Sequence, residues 1–203
     1  MSSPTDPQTL KGFLTVAEGE MLAHYAKSGA EIGAVVEIGA WCGRSSLYLA
    51  QAIQQSGQLL FSVDHHRGSE ENQPEWEWFD PEVWDQQAKM IDTLPHFRNN
   101  IRKAGMEKHV VAMVGPSAQI GEAWASPLGF LFLDGGHTMQ AALADYRAWA
   151  RHLLKGGFLA IHDVFPNPAD GGRAPFEVCQ MAERSGFYAR CDQTGSLVVL
   201  QRL

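Results

Sequence analysis

The sequence lacks the features that would place it in several large classes. Its three cysteines, Cys42, Cys179 and Cys191, are scattered and include no C-x-x-C pair. Neither a disulfide framework nor a structural zinc site is therefore expected, and a reducing, cytoplasmic compartment fits best. There is no apolar run of about 18 residues of the kind a membrane span needs. Residues Met1 to Asp6 carry no basic or apolar segment, so no secretory signal is expected. Positive charge is scarce. Sixteen Lys and Arg against 23 Asp and Glu give a net charge of −7, unsuited to gripping nucleic acid phosphates or anionic lipid. Two phosphate-binding signatures are missing, G-x-G-x-x-G and Gly-Lys-Ser/Thr. There are no internal repeats and no low-complexity tracts.

What is present is a chain of 203 residues, 45% hydrophobic and 19% charged, which suits a single soluble domain. Its strongest pattern is alternation of short apolar runs with helix-compatible stretches. The runs are 34–38, 59–63, 109–114, 129–133 and 157–161, each nearly continuous in apolar residues. Strands buried on both faces of a parallel sheet have this composition. Between them, Arg44 to Gln55, Glu82 to Ala104, Ser117 to Ala125 and Met139 to Leu154 are expected to be helical, with Pro95 breaking the second. Thr15, with Glu18 three residues on, predicts a capped helix from Thr15 to Lys27. Residues 1–14 are polar and expected to be loose. In the tail, a helix over Arg173 to Ser185 precedes two strands, Gly186 to Cys191 and Leu197 to Leu200. The polar link 192–196 is too short for a parallel crossover, so these two should form an antiparallel hairpin. The fold class is α/β, with helices on both faces of the sheet.

Glu37-Ile38-Gly39-Ala40-Trp41-Cys42-Gly43-Arg44-Ser45-Ser46 lies where the first strand hands over to a helix, the place at which open α/β sheets bind ligands. Gly39 permits a sharp turn beside a ligand, Gly43 a close approach to the helix start, and Ser45 or Ser46 is placed to cap the helix. The plain alternative is a tight turn without function. Asp64 closes the second strand, where a carboxylate can accept both hydroxyls of a ribose; an ordinary solvated strand end is the alternative. Cys42 is expected to be a small apolar filler.

With these residues in view, the chain resembles the class I S-adenosylmethionine-dependent methyltransferases. Val35 to Gly43 is similar to their motif I, and Asp64 falls at their acidic ribose-binding position. Phe132-Leu133-Asp134-Gly135-Gly136-His137 and Lys155 to Asp163 resemble the small methyltransferase 24 subgroup, related to catechol-type and macrolide-sugar O-methyltransferases. The resemblance spans about residues 30–202. It implies a Rossmann-like, mostly parallel seven-stranded sheet ending in an antiparallel hairpin, and S-adenosylmethionine as cofactor. Its methionine part would lie over Gly39, Ala40, Trp41, Gly43 and Ser45, with Glu37 near the amino group. Asp64 would take the ribose hydroxyls and Ser117 the adenine, and His65 and Asp134 would also touch the cofactor; for Ser117, a helix N-cap is the competing role.

Asp134 ends the fourth strand and His162-Asp163 the fifth, so adjacent parallel strands should bring them together. In metal-dependent relatives the matching positions hold Mg²⁺. Here His162 replaces a carboxylate, which favours Mn²⁺, Fe²⁺ or Zn²⁺ over Mg²⁺ at Asp134, His162 and Asp163. The metal-free alternative makes one histidine the base for the acceptor's proton, His137 first and His162 second. Residues 65–85, rich in carboxylates and carrying Trp76, Trp78, Phe79 and Trp84, are expected to form a lid-like insertion over a small-molecule acceptor; packing on the domain or on a second subunit is the alternative. Oligomeric state stays open, with a homodimer the commonest closed assembly. Two other functions compete with methyl transfer to a hydroxyl oxygen. A nicotinamide-dependent oxidoreductase suffers from the glycine spacing, and a non-catalytic cofactor-binding or assembly subunit from the intact candidate bases.

Overall fold

The computed structural model describes residues 5–167 and 169–203. In chain order the elements are α1 (Val16–Gly29), β1 (Ala34–Ile38), α2 (Arg44–Ile53), β2 (Leu60–Asp64), β3 (Trp84–Asp85), β4 (Met90–Ile91), α3 (Leu94–Lys103), β5 (Val110–Val114), α4 (Ser117–Ala123), β6 (Leu128–Leu133), α5 (Met139–Trp149), β7 (Leu153–Ile161), α6 (Ala174–Arg184), β8 (Tyr188–Thr194) and β9 (Leu197–Arg202). The main sheet has seven strands in the order β5-β2-β1-β6-β7-β9-β8. The first five run parallel, and β9 is antiparallel to both β7 and β8. Strand order reverses between β1 and β6, which opens a crevice at their carboxyl ends.

The apolar runs become central strands because their alternate side chains enter two separate cores. Phe130 and Phe132 of β6 join Leu22, Leu47, Leu49 and Phe97 from α1, α2 and α3. Leu131 and Leu133, one residue out of phase, join Trp149, Val178 and Cys179 from α5 and α6 on the other face. Every residue of β6 is buried. At the far edge, a two-residue turn, Gly195-Ser196, links β8 to β9, with Thr194 opposite Leu197, as the short polar link required.

Three expectations are corrected. Residues 82–104 are not one helix. Pro81–Val83 form a single 3-10 turn, β3 and β4 pair as a two-stranded ribbon, and the helix starts only at Leu94. Pro95 lies in its first turn, where a missing N–H costs nothing, so it starts the helix instead of breaking it. The helix expected to end at Leu154 stops at Trp149, followed by one 3-10 turn, and Leu153 already belongs to β7. The segment expected to be loose is docked wherever it is described, residues 1–4 lying outside the described residues. The Arg44 guanidinium donates to the carbonyls of Leu10 (2.6 and 2.9 Å) and Leu14 (3.0 Å), and Leu14 is buried. Among the described residues, no helix is long and apolar enough to cross a membrane.

Candidate active site

A cleft of about 620 Å³ opens at the carboxyl ends of β1, β2, β6 and β7. Its floor is the glycine turn after β1. Gly39 has φ +87°, and its N–H donates to the Val63 carbonyl at 3.0 Å. Trp41 holds a left-handed φ of +46°, a conformation a bulky residue keeps only when its surroundings enforce it. The enforcing group is Asp64. One of its carboxylate oxygens accepts the N–H groups of Ala40 and Trp41, both at 2.9 Å, and the other accepts that of His66 at 2.7 Å. A carboxylate offers about four acceptor directions. Three of these are in use, and about one remains toward the cleft.

Glu37 is fully buried beneath this turn and does not line the cleft. Ser45 (2.8 Å), Ser46 and Ser62 (2.5 Å) all donate to its carboxylate. The two helix-start serines therefore serve Glu37 and leave α2 without a side-chain cap; its N-cap is Gly43 in the left-handed region. Burial pushes the Glu37 carboxyl up to about 7, against the three serine bonds. A carboxyl raised in the folded state binds protons more tightly than in the unfolded chain. Its contribution to stability is thus present below about 4.5 and lost as pH rises through about 7. Across that window, wild-type stability should fall relative to Glu37→Gln by about 3 kcal/mol at most. Urea titrations of both proteins at pH 4.5 and 8 check this; a pH-independent difference would contradict it.

Other predicted residues are divided by the structure. Gly39, Ala40, Trp41, Ser45, Asp64, His65, Asp134, His137, His162 and Asp163 all line the cleft. Gly43 and Ser117 do not. Ser117 is not a cap either, because its hydroxyl donates to Asp145 and Pro116 is the N-cap of α4. Cys42 is buried, and burial pushes its thiol up to about 12, consistent with a filler.

The ends of β6 and β7 meet as expected. His162 N–H donates to the Leu133 carbonyl at 3.1 Å, and Asp163 adopts a left-handed φ of +56°. From there carboxylates and imidazoles alternate. Glu71 contacts His137 Nδ1 at 3.0 Å, and His137 Nε2 contacts Asp163 at 2.9 Å. His162 Nδ1 lies 3.3 Å from Asp163 and 3.0 Å from Asp134. The other ring nitrogen of His162 faces Glu18 at 3.5 Å. The bond to Asp163 raises His137 to about 9 against the effect of burial, and Glu71 adds to the rise. Burial opposes charge on His162, but Asp134, Asp163 and Glu18 overcome it and hold the ring far above the usual imidazole range. Burial likewise opposes charge on Asp163, yet the two imidazoles keep its carboxyl well below the ordinary value.

Asp134, His162 and Asp163 each present a ligand atom, all within 4.8 Å of one another. Two carboxylates and one imidazole form a donor set suited to a borderline divalent ion. A metal bound there would displace the proton that His162 Nδ1 holds between the aspartates, while Nε2, buried and without a hydrogen-bond partner, would keep its proton toward Glu18.

Sequence reasoning missed two members of this network, Glu18 and Glu71. Glu18 is seen in the sequence as the second half of a capping box, a role it does fill. Glu71 sits in a carboxylate-rich segment with no pattern to single it out. The roof of the cleft is also assembled from distant segments. Phe13 stands 5.7 Å edge-on to Trp78 and 6.1 Å from Trp41, and Lys11 pairs with Asp80 (2.6 Å) and Glu82 (2.7 Å).

A seven-stranded sheet of this order, closed by an antiparallel hairpin and bearing a carboxylate-lined cleft beside a glycine turn after β1, defines the Rossmann-like methyltransferase class. The family model described as "Methyltransferase domain" (Methyltransf_24) matches residues 36–164, and the chain belongs to that family. Among solved structures, the O-methyltransferase NovP superposes with a TM-score of 0.68 at 16% identity, covering 92% of this chain and 80% of its own. The O-methyltransferase TomG of Streptomyces achromogenes, in complex with SAM, gives 0.64 at 14%, covering 94% and 81%. A Bacillus cereus O-methyltransferase in complex with SAH gives 0.63 at 14%, covering 94% and 83%. At such identities the likeness is one of fold.

Proposed function

We propose that this protein transfers the methyl group of S-adenosylmethionine to a hydroxyl oxygen of a small molecule. The observation that carries the reading is the carboxylate–imidazole network at the ends of β6 and β7, set in one cleft with the glycine turn of a methyltransferase-family domain. Solved proteins of the same fold named as O-methyltransferases with SAM or SAH bound support the cofactor and the oxygen acceptor.

In the transfer, a lone pair of the acceptor oxygen forms the new bond to carbon. The carbon–sulfur bond breaks with its electrons returning to sulfur, and the acceptor loses its proton. Alignment is the main contribution of the protein, since holding nucleophile and methyl about 3–3.5 Å apart replaces a bimolecular encounter. The glycine turn, fixed by Asp64, carries the amino-acid end of the cofactor, and Asp64 takes one ribose hydroxyl. His137 handles the acceptor's proton: above about pH 9 its neutral form, held by Asp163 at Nε2, receives that proton at Nδ1 once this nitrogen leaves Glu71. A divalent ion held by Asp134, His162 and Asp163 would polarise the acceptor oxygen.

Calorimetric titration with S-adenosylhomocysteine should give a saturable one-to-one isotherm. With methyl-labelled S-adenosylmethionine and a panel of hydroxylated acceptors, His137→Ala should lower kcat by roughly 10²–10⁴-fold while leaving S-adenosylhomocysteine affinity unchanged. A flat isotherm for the wild type would remove the reading.

A further inference from the structure

Three aromatic rings at the mouth of the cleft are unusually bare. Phe13 is 56% exposed, Trp76 60% and Trp78 51%, although all three line the cleft. Rings this large gain most from being covered, and among the described residues about half or more of each stays open to solvent. Phe13 comes from the segment before α1 and the tryptophans from the segment after β2, so two separate parts of the chain bring rings to one place. Phe13 and Trp78 stand edge to face, 85° apart, so neither ring covers both faces of the other.

The charges around them have one sign to spare. Glu77 and Asp170 line the same cleft. The two cations that also line it are engaged elsewhere: the Lys11 ammonium by Asp80 and Glu82, and the Arg44 guanidinium by the carbonyls of Leu10 and Leu14. His65 is exposed at the ribose end, and the charges of His137 and His162 are matched by Glu71, Asp163, Asp134 and Glu18. Among the described residues lining the cleft, no lysine or arginine is left without a partner. Aromatic faces and carboxylates together favour a cation, since the face of a ring attracts positive charge and the carboxylates add a field of the same sense.

We infer that the acceptor is a planar aromatic molecule carrying positive charge, such as a protonated or quaternary ring amine, clasped between Phe13 and the Trp76–Trp78 segment, and that anionic acceptors are rejected. This rests on the methyltransferase reading for what the clasped molecule does, but its recognition can be measured apart from that reading.

The test uses three ring compounds of like shape at pH 8: 1-methylquinolinium (cation), quinoline (neutral) and quinoline-4-carboxylate (anion). Each is titrated against tryptophan fluorescence, with and without S-adenosylhomocysteine. The cation should bind at least tenfold more tightly than quinoline, and the carboxylate most weakly. Phe13→Ala and Trp78→Ala should each weaken 1-methylquinolinium at least tenfold and leave S-adenosylhomocysteine affinity within twofold. Glu77→Gln with Asp170→Asn should reduce the preference for the cation without weakening quinoline. Equal or tighter binding of the carboxylate, or indifference to both ring deletions, overturns the inference. If S-adenosylhomocysteine fails to bind while the cation preference holds, the methyl-transfer reading falls and the aromatic site stands.

Discussion

Gly39→Ala should abolish S-adenosylhomocysteine binding and lower the melting temperature by roughly 6–20 °C, the shift expected for a loss of about 3–5 kcal/mol in a chain of this size. The cause is local and severe. A Cβ at this position would lie 2.0 Å from the Asp134 carbonyl oxygen and 2.6 Å from its carbon, and both are backbone atoms that cannot swing aside. Backbone φ at +87° adds the strain of a left-handed L-residue. Relief can come only by driving the end of β1 away from the end of β6, and that junction is tied by Asp134 N–H to the Ile38 carbonyl at 2.9 Å. The change would reach both the glycine turn and Asp134. Differential scanning calorimetry and a titration of the variant decide the matter; a melting temperature within 2 °C of wild type, with binding intact, would show the close approach to be relaxed in solution.

Glu18→Ala carries the second large effect. One oxygen of this buried carboxylate accepts the Thr15 N–H (3.0 Å) and hydroxyl (2.9 Å), and the other accepts the Ser196 N–H (2.9 Å) and hydroxyl (3.1 Å) while facing His162. Three parts of the chain therefore converge on one side chain: the start of α1, the hairpin turn and the end of β7. Burial alone would raise its carboxyl, but the His162 contact and the Thr15 bonds hold it down at about 2. Removing it strands two backbone donors and takes away a charge partner of His162. Loss of one member of a buried pair costs about 3–5 kcal/mol, and Glu18→Ala should lose that much in urea titration. Glu18→Gln keeps an acceptor for one of the two donor pairs and should lose less. Equal, small losses in both variants would show that the carboxylate is not needed there.

The central strands were legible because burial on both faces leaves no room for polar alternation, so Val35-Val36 and Phe130 to Leu133 announce themselves. The hairpin followed from chain length alone. Residues 82–93 misled because their composition suits a helix, while their conformation is set from outside: Arg67 donates to the Ile91 carbonyl at 3.2 Å and pairs with Asp92 at 3.3 Å. Residues 5–14 misled for the same reason, since what holds them is Arg44, thirty positions away. In the site, Asp64, Asp134, His162 and Asp163 could be found because parallel strands deliver their carboxyl ends to one edge. Glu18 and Glu71 could not, because no spacing rule connects position 18 to 162 or 71 to 137. Asp64 was located correctly, but three nearby amides claim most of its capacity, and only the turn's folded path reveals that.

The ion pairs from Lys11 to Asp80 and Glu82 have a consequence for the mouth of the cleft. Arg44 pins Leu10 and Leu14, so residues 11–13 form a small arch that meets the opposite wall through the partly solvated Lys11 ammonium and the Phe13–Trp78 edge contact. Each such surface pair is worth about 0–1 kcal/mol, so the two together bias shut over open by no more than roughly thirtyfold. The contacts between arch and wall are therefore separate from those that hold the sheet and its cores, and the two sides of the cleft mouth depend on each other far less than the strands beneath them do.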